Sequence, residues 1–203
     1  MPKIDHDTKE KILAAAEKVF HSNGFKGTRT TLIAEEAGIS RTMLHYYFNS
    51  KEALFQEVLK NTVSTVLNHT KKRIAEPLEL PEVIGNIIDI VADMCEEKPG
   101  LPSFVVNLLN ESPQMAQFFA STQNDNVPAE LDKILNEAKK KGEVDANITG
   151  EDLIIHIYGM CVIPYLGLAY IQVKEKRDDE AMKVFLRERK EKIKIFVLKG
   201  IRP

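Results

Sequence analysis

The sequence predicts an all-α chain, and three observations carry that expectation. Apolar residues recur at three- and four-residue spacing along most of its 203 residues. Alternating Val/Ile/Thr runs of the strand type are few. Prolines are absent between Pro2 and Pro77 and then fall at Pro77, Pro81, Pro99, Pro102, Pro113 and Pro128, where they suit joints and first turns of helices.

A first helix is expected from Asp7 to Ser22, with Asp7 and Glu10 as a capping-box-like start and Ile12, Leu13, Ala16, Val19 and Phe20 on one face. Asn23-Gly24 stops it, because glycine takes up the left-handed conformation that helix ends favour. A second, short helix covers Thr30 to Ala37, with Ile33, Ala34 and Ala37 inward, and ends at Gly38. Ser40 caps a third from Arg41 to Tyr47. Ser50 caps a fourth that runs to Ala75, with Leu54, Phe55, Val58, Leu59, Val63, Val66 and Leu67 as its stripe. Further helices are expected at Pro81–Glu97, Pro102–Leu109, Pro113–Ser121 (capped by Ser112), Pro128–Lys141, Gly150–Val173 and Asp178–Leu198. The last carries Met182, Phe185, Leu186, Ile193, Phe196 and Val197, interrupted by Arg189.

Charge narrows the function. Lys+Arg number 28 against 30 Asp+Glu, a net charge of −2, so bulk attraction to nucleic acid is excluded and any basic site must be local. Residues 1–51 hold 8 Lys/Arg against 6 Asp/Glu, 52–173 hold 9 against 18, and 174–203 hold 11 against 6. A modestly basic head thus precedes an acidic body. Two cysteines, Cys95 and Cys161, are too few for a disulfide scaffold or a Cys-rich zinc site. The opening MPKIDHDTKE lacks the apolar core of a signal peptide, so a cytoplasmic protein is expected.

The second and third helices, joined by a turn containing Gly38, have the pattern of a helix-turn-helix. In that arrangement a short second helix enters the major groove and its N-terminal side chains reach base edges, while hydroxyls, helix ends and a lysine hold phosphates. Ala34 and Gly38 are small where the two helices cross, Ile39 plugs the turn, and Arg41, Thr42, His45 and Tyr46 face outward. Phe48 belongs to the core.

At these residues the sequence resembles the tetracycline-repressor (TetR) family of bacterial transcriptional regulators. The likeness rests on Gly24-Phe25, Thr28-Arg29-Thr30 and IAEEAGISRTMLHYYFNSKEAL from Ile33 to Leu54, about a quarter of the chain. Tyr47-Phe48-x-Ser50-Lys51-Glu52-x-Leu54 is its most specific part. The resemblance implies a DNA-binding domain over 1–51 and a ligand-binding and dimerisation domain over 52–203. It implies a homodimer on a palindromic double-stranded DNA operator, released by a small-molecule effector of unread class, and no cofactor. By the same analogy Arg41, Thr42 and Tyr46 approach bases, Tyr47 and Lys51 hold phosphates, and Thr28, Arg29, Thr30 and His45 complete the DNA-binding set. The family usually has a small residue at the place of Thr42 and tyrosine at that of His45. Its usual Ser/Thr cap of the second helix aligns with Arg29, leaving Arg29 in that role or Thr28 as the cap.

The family's pockets lie among the middle helices, which makes Met94, Phe104, Asn107, Phe118, His156, Met160 and Tyr165 candidates for effector contact. Ordinary core packing accounts for most of them equally well. The uncharged run from Leu153 to Val173 is long enough for a bilayer. His156, Gln172, Pro164 and two glycines argue instead for a helix buried against its own domain and its twin. His156 and Cys161 are five apart and share no helix face. With no metal-ligand cluster or phosphate-binding glycine loop, no enzyme is expected. A helical interaction protein without DNA binding, or a membrane-associated one, is the alternative reading.

Overall fold

The computed structural model describes residues 5–74, 78–111, 117, 120 and 127–203, and among them all regular structure is helical. Ten helices follow in order: α1 (His6–Gly27), α2 (Thr30–Glu36), α3 (Arg41–Tyr47), α4 (Lys51–Ile74), α5 (Leu80–Glu97), α6 (Leu101–Glu111), α7 (Val127–Lys140), α8 (Gly150–Leu166), α9 (Leu168–Glu175) and α10 (Asp179–Gly200). The helix expected over Pro113–Ser121 and its Ser112 cap lie outside the described residues, as do the side chains of Val63, Val66 and Leu67.

The chain divides into two units, residues 1–65 with 103–123, and residues 66–102 with 124–203. In the first, α1 starts one residue earlier than expected. Asp5, not Asp7, is its N-cap, accepting from the Asp7 amide at 3.3 Å and the Thr8 hydroxyl at 2.8 Å. Gly24 breaks α1 with φ 66° and ψ 174°, after which the chain makes one more turn to Gly27. The core of this unit gathers Ile12, Ala16 and Phe20 of α1, Ile33 and Ala34 of α2, Leu44 of α3 and Leu54, Phe55, Val58 and Leu59 of α4. Phe20 and Phe55 meet edge-on at 4.7 Å between ring centroids, and Phe104 of α6 closes on Phe55 at 5.2 Å. Each such ring removed from water is worth about 1.5–3 kcal/mol, so this cluster fixes the platform on which α2 and α3 stand.

The second unit is built on Ile84, Ile87, Ile88 and Val91 of α5, Leu131 and Leu135 of α7, Leu153 and Ile157 of α8, and Ile193 and Val197 of α10. Gly150 begins α8 against α7, where any side chain would overlap the Pro128 carbonyl, and its amide donates to Asp132 Oδ1 at 2.7 Å. The single helix expected over Gly150–Val173 is instead two, α8 and α9, bent by 66°. Pro164 removes one amide from the ladder, and Gly167 ends α8 by donating to Ile163 at 3.1 Å while accepting from Ile171 at 2.9 Å. No single helix among the described residues is long and apolar enough to cross a membrane, and only this bent pair approaches that length.

Candidate nucleic-acid interface

The turn between α2 and α3 is closed by backbone bonds. Ala37 donates to Ile33 at 2.9 Å, Gly38 to Glu35 at 3.1 Å and Ile39 to Ala34 at 3.0 Å, with Gly38 at φ 66°, in the left-handed region glycine favours. Half-buried Ile39 points the chain into α3. Ser40 then accepts from the Met43 amide at 3.1 Å and fixes the first turn of α3. Leu44 and Phe48 turn inward, Thr42 and Tyr46 lie on the far side of the helix, and Arg41 and His45 also stand in solvent. Tyr46 lies edge-on to Tyr47, with 5.6 Å between centroids.

Met43 belongs to the same exposed crown, 42% accessible between Thr42 and Tyr46. The signal was available, since position 43 lies about 100° from Leu44 and about 140° from Phe48 on a helical wheel. An apolar side chain is easily assumed to face the core.

The residues flanking α3 behave differently from the expectation. Thr28 is 2% exposed and its hydroxyl donates to the Gly24 carbonyl at 2.7 Å, so it does not cap α2. Arg29 is the N-cap of α2 but makes no side-chain cap; it and half-buried Thr30 begin α2. The Tyr47 hydroxyl accepts from the Asp5 amide at 3.1 Å. Lys51, at the start of α4, donates to the carbonyls of Phe25 at 2.9 Å and Thr28 at 3.2 Å, with its ammonium 4.4 Å from the Phe25 ring. Lys18 holds Glu36 at 2.6 Å, tying α1 to α2 and offsetting one carboxylate of the unit.

The sequence model described as bacterial regulatory proteins, tetR family, matches residues 12–58, which spans this whole arrangement. The HTH-type transcriptional regulator UidR of Escherichia coli K12 is 27% identical over 143 residues, covering 70% of this chain and 71% of UidR. Residues 12–58 carry a TetR-type DNA-binding domain. The chain's TetR likeness is strongest at the DNA-binding end: the HTH-type transcriptional regulator RutR of the same organism is 56% identical over 52 residues, 26% of this chain and 24% of RutR. Similarity of fold runs further. The Bacillus subtilis transcriptional regulator FadR in complex with stearoyl-CoA superposes with a TM-score of 0.69 at 18% identity, covering 95% of this chain and 99% of that one. With this domain and with relatives that are transcriptional regulators, the protein is a DNA-binding transcriptional regulator.

The residues expected at an effector site are dispersed. Phe104 is buried in the first unit beside Phe20 and Phe55, and Asn107 of α6 is exposed. Phe118 lies outside the described residues. In the second unit, His156 and Met160 line one apolar groove of about 530 Å³ together with Ile155, Gly159, Phe196 and Gly200. Met94 packs half-buried against the core. Tyr165 is half-buried, and burial pushes its hydroxyl up to about 12. Burial likewise raises Cys95 to about 12 and Cys161 to about 11, holding both thiols protonated.

Proposed function

We propose that the protein is a ligand-responsive repressor that binds a palindromic operator as a homodimer and is released by a small molecule. The observation that carries the DNA end of this reading is α3 itself. It is short, capped by Ser40 and anchored by Leu44 and Phe48, and it turns Arg41, Thr42, His45 and Tyr46 outward. Arg41, Thr42 and Tyr46 read base edges, and Arg29, Thr30 and His45 meet phosphates. Residues 1–51 act as the reading head and 52–203 as the effector and pairing domain.

Pairing through the second unit is favoured by its uncovered apolar surface. Ile155 and Ile163 of α8 and Phe196 of α10 are each at least 60% exposed, a large apolar display for a surface without a partner. His156 and Met160 share that groove and belong to the pairing face rather than to an enclosed pocket. An effector that binds one spacing of the two reading heads better than the other releases DNA, with α4, which runs from Lys51 to Ile74, carrying the change. The FadR structure holding stearoyl-CoA supports a small-molecule effector for this fold. A cytoplasmic location goes with the role.

Footprinting of the purified protein on DNA upstream of its own gene, with salt titration, tests the proposal. Protection of a palindromic site, lifted by a metabolite extract, is expected. Uniform binding with no preferred site would overturn it.

A further inference from the structure

Large apolar side chains are scarce on the surface of the first unit. Among the described side chains of residues 5–61, those left exposed are Leu32, Met43 and Tyr46, and all three lie in α2 and α3. Leu32 belongs to the supporting helix, and Tyr46 ends in a hydroxyl. Met43 is therefore the one wholly apolar group that α3 displays to solvent.

Its place is set by the local backbone. Met43 is the third residue of α3, and its amide donates to Ser40 Oγ at 3.1 Å, so it stands in the capped first turn. That turn is the part of a reading helix that meets base edges. On a helical wheel Thr42, Tyr46 and Met43 fall within an arc of about 100°, on the side away from the buried pair Leu44 and Phe48. A thioether donates no hydrogen bond and accepts one only weakly, so it neither grips a phosphate nor reads a pattern of donors and acceptors. What it offers is an unbranched, polarizable chain that moulds itself to apolar matter. In the major groove that matter is the C5-methyl group of thymine, since the other bases are told apart there by donors and acceptors.

We infer that Met43 reads the methyl group of one thymine in each half-site, an apolar specificity contact beside the polar ones of Arg41, Thr42 and Tyr46. This contact rests on the DNA-binding role proposed for α3. Thr42 carries a methyl group on the same arc and is the rival for it.

The test uses the full-length protein on the operator that footprinting locates. Each thymine in turn is replaced in both half-sites by deoxyuridine, which deletes the methyl group and leaves the hydrogen-bonding groups of the base in place. Affinity is read by fluorescence anisotropy at fixed salt. With wild-type protein, one position should weaken binding on the order of fourfold for each half-site, the worth of one buried methyl-sized group. In Met43→Ala that position should become indifferent to the methyl group, whereas Met43→Leu should keep most of the effect, a comparison that isolates the pair. Met43 is exposed, so both variants should melt like the wild type. A preferred site at which no thymine responds to loss of its methyl group overturns the inference. A response that persists in Met43→Ala also overturns it, and its disappearance in Thr42→Ser gives the contact to Thr42. Wild-type protein that prefers no site at all overturns the regulator reading, and the methyl contact with it.

Discussion

Arg41 stands in solvent one residue past the Ser40 cap, at the end of α3 where side chains reach furthest into a groove. A guanidinium there can grip one guanine edge through two hydrogen bonds, an interaction worth about 1–3 kcal/mol of discrimination against the wrong base. Arg41→Ala is therefore expected to erode preference for the operator over scrambled DNA by about that amount per half-site, measured by fluorescence anisotropy at fixed salt. An equal loss on both sequences would place the arginine on phosphate instead. At this scale the sequence is informative wherever a residue's neighbours are its own helix. Leu44 and Phe48 inward and Tyr46 outward follow from helical spacing, whereas Arg41, three residues before Leu44 and seven before Phe48, would share their face by spacing and is exposed at the first residue of α3. The sequence is silent where the partner is distant in the chain. Lys51 bonds a carbonyl 26 residues away and Tyr47 a backbone amide 42 away, and no local pattern encodes such pairs. Thr28 shows a related failure: its place just before α2 suggests a cap, but its hydroxyl finds the Gly24 carbonyl within the preceding turn.

Helix boundaries are legible where a cap or a glycine marks them, and less so where tertiary packing decides. Ser40, Ser50 and Gly38 lie where local rules put them, with Ser50 Oγ accepting from Ala53 at 3.0 Å. Gly24 does interrupt α1, although the chain recovers one turn beyond it. Its φ of 66° with ψ of 174° is a conformation open almost only to glycine, and a Cβ there meets nothing within 4 Å, so backbone strain alone governs a substitution. Gly24→Ala should destabilise the protein by about 1–3 kcal/mol in denaturant unfolding; an unchanged midpoint would show that the break relaxes into an ordinary helix. The uncharged run after Gly150 misleads in the other direction, since hydropathy continues across Gly167 while the helix does not. At the start of that run Thr149 and Asp152 cap α8 reciprocally, and the Thr149 hydroxyl, at 2.6 Å, holds the Asp152 carboxyl below its ordinary value of 3.8. A depressed carboxylate contributes stability above its unfolded value and loses it as pH falls through the lower folded one. Asp152→Asn should thus lower the melting temperature at neutral pH, and the gap to wild type should close as pH drops below 3.8. A gap that persists at the acid end would point to packing rather than charge as its cause.

At the scale of the whole molecule the decisive question is what covers the apolar surface of α8 and α10. Phe196 is 68% exposed, whereas Ile193 and Val197, on the neighbouring flank of the same helix, are buried in the core. One helix therefore shows two apolar faces, and only one of them is used within the second unit. Composition could not separate them, because a helix packed on both sides reads the same whether its second partner is another element or another copy of the chain. A second copy is the occupant that the proposed reading of a palindrome requires, since each additional reading head raises the effective concentration of the other at its half-site. Across a twofold axis the same residue is buried twice, so a single change acts twice. Burying a phenylalanine is worth about 1.5–3 kcal/mol, and placing a carboxylate there adds a desolvation cost. Phe196→Asp should leave the folded chain intact, because the side chain is exposed within it, while weakening self-association by roughly a hundredfold or more. Sedimentation velocity should show wild-type dimer and variant monomer at the same micromolar loading. The variant should still touch single half-sites but lose its tight footprint on the full palindrome. A variant that remains dimeric with an undisturbed footprint would place the pairing face elsewhere and return the His156 groove to the search for an effector.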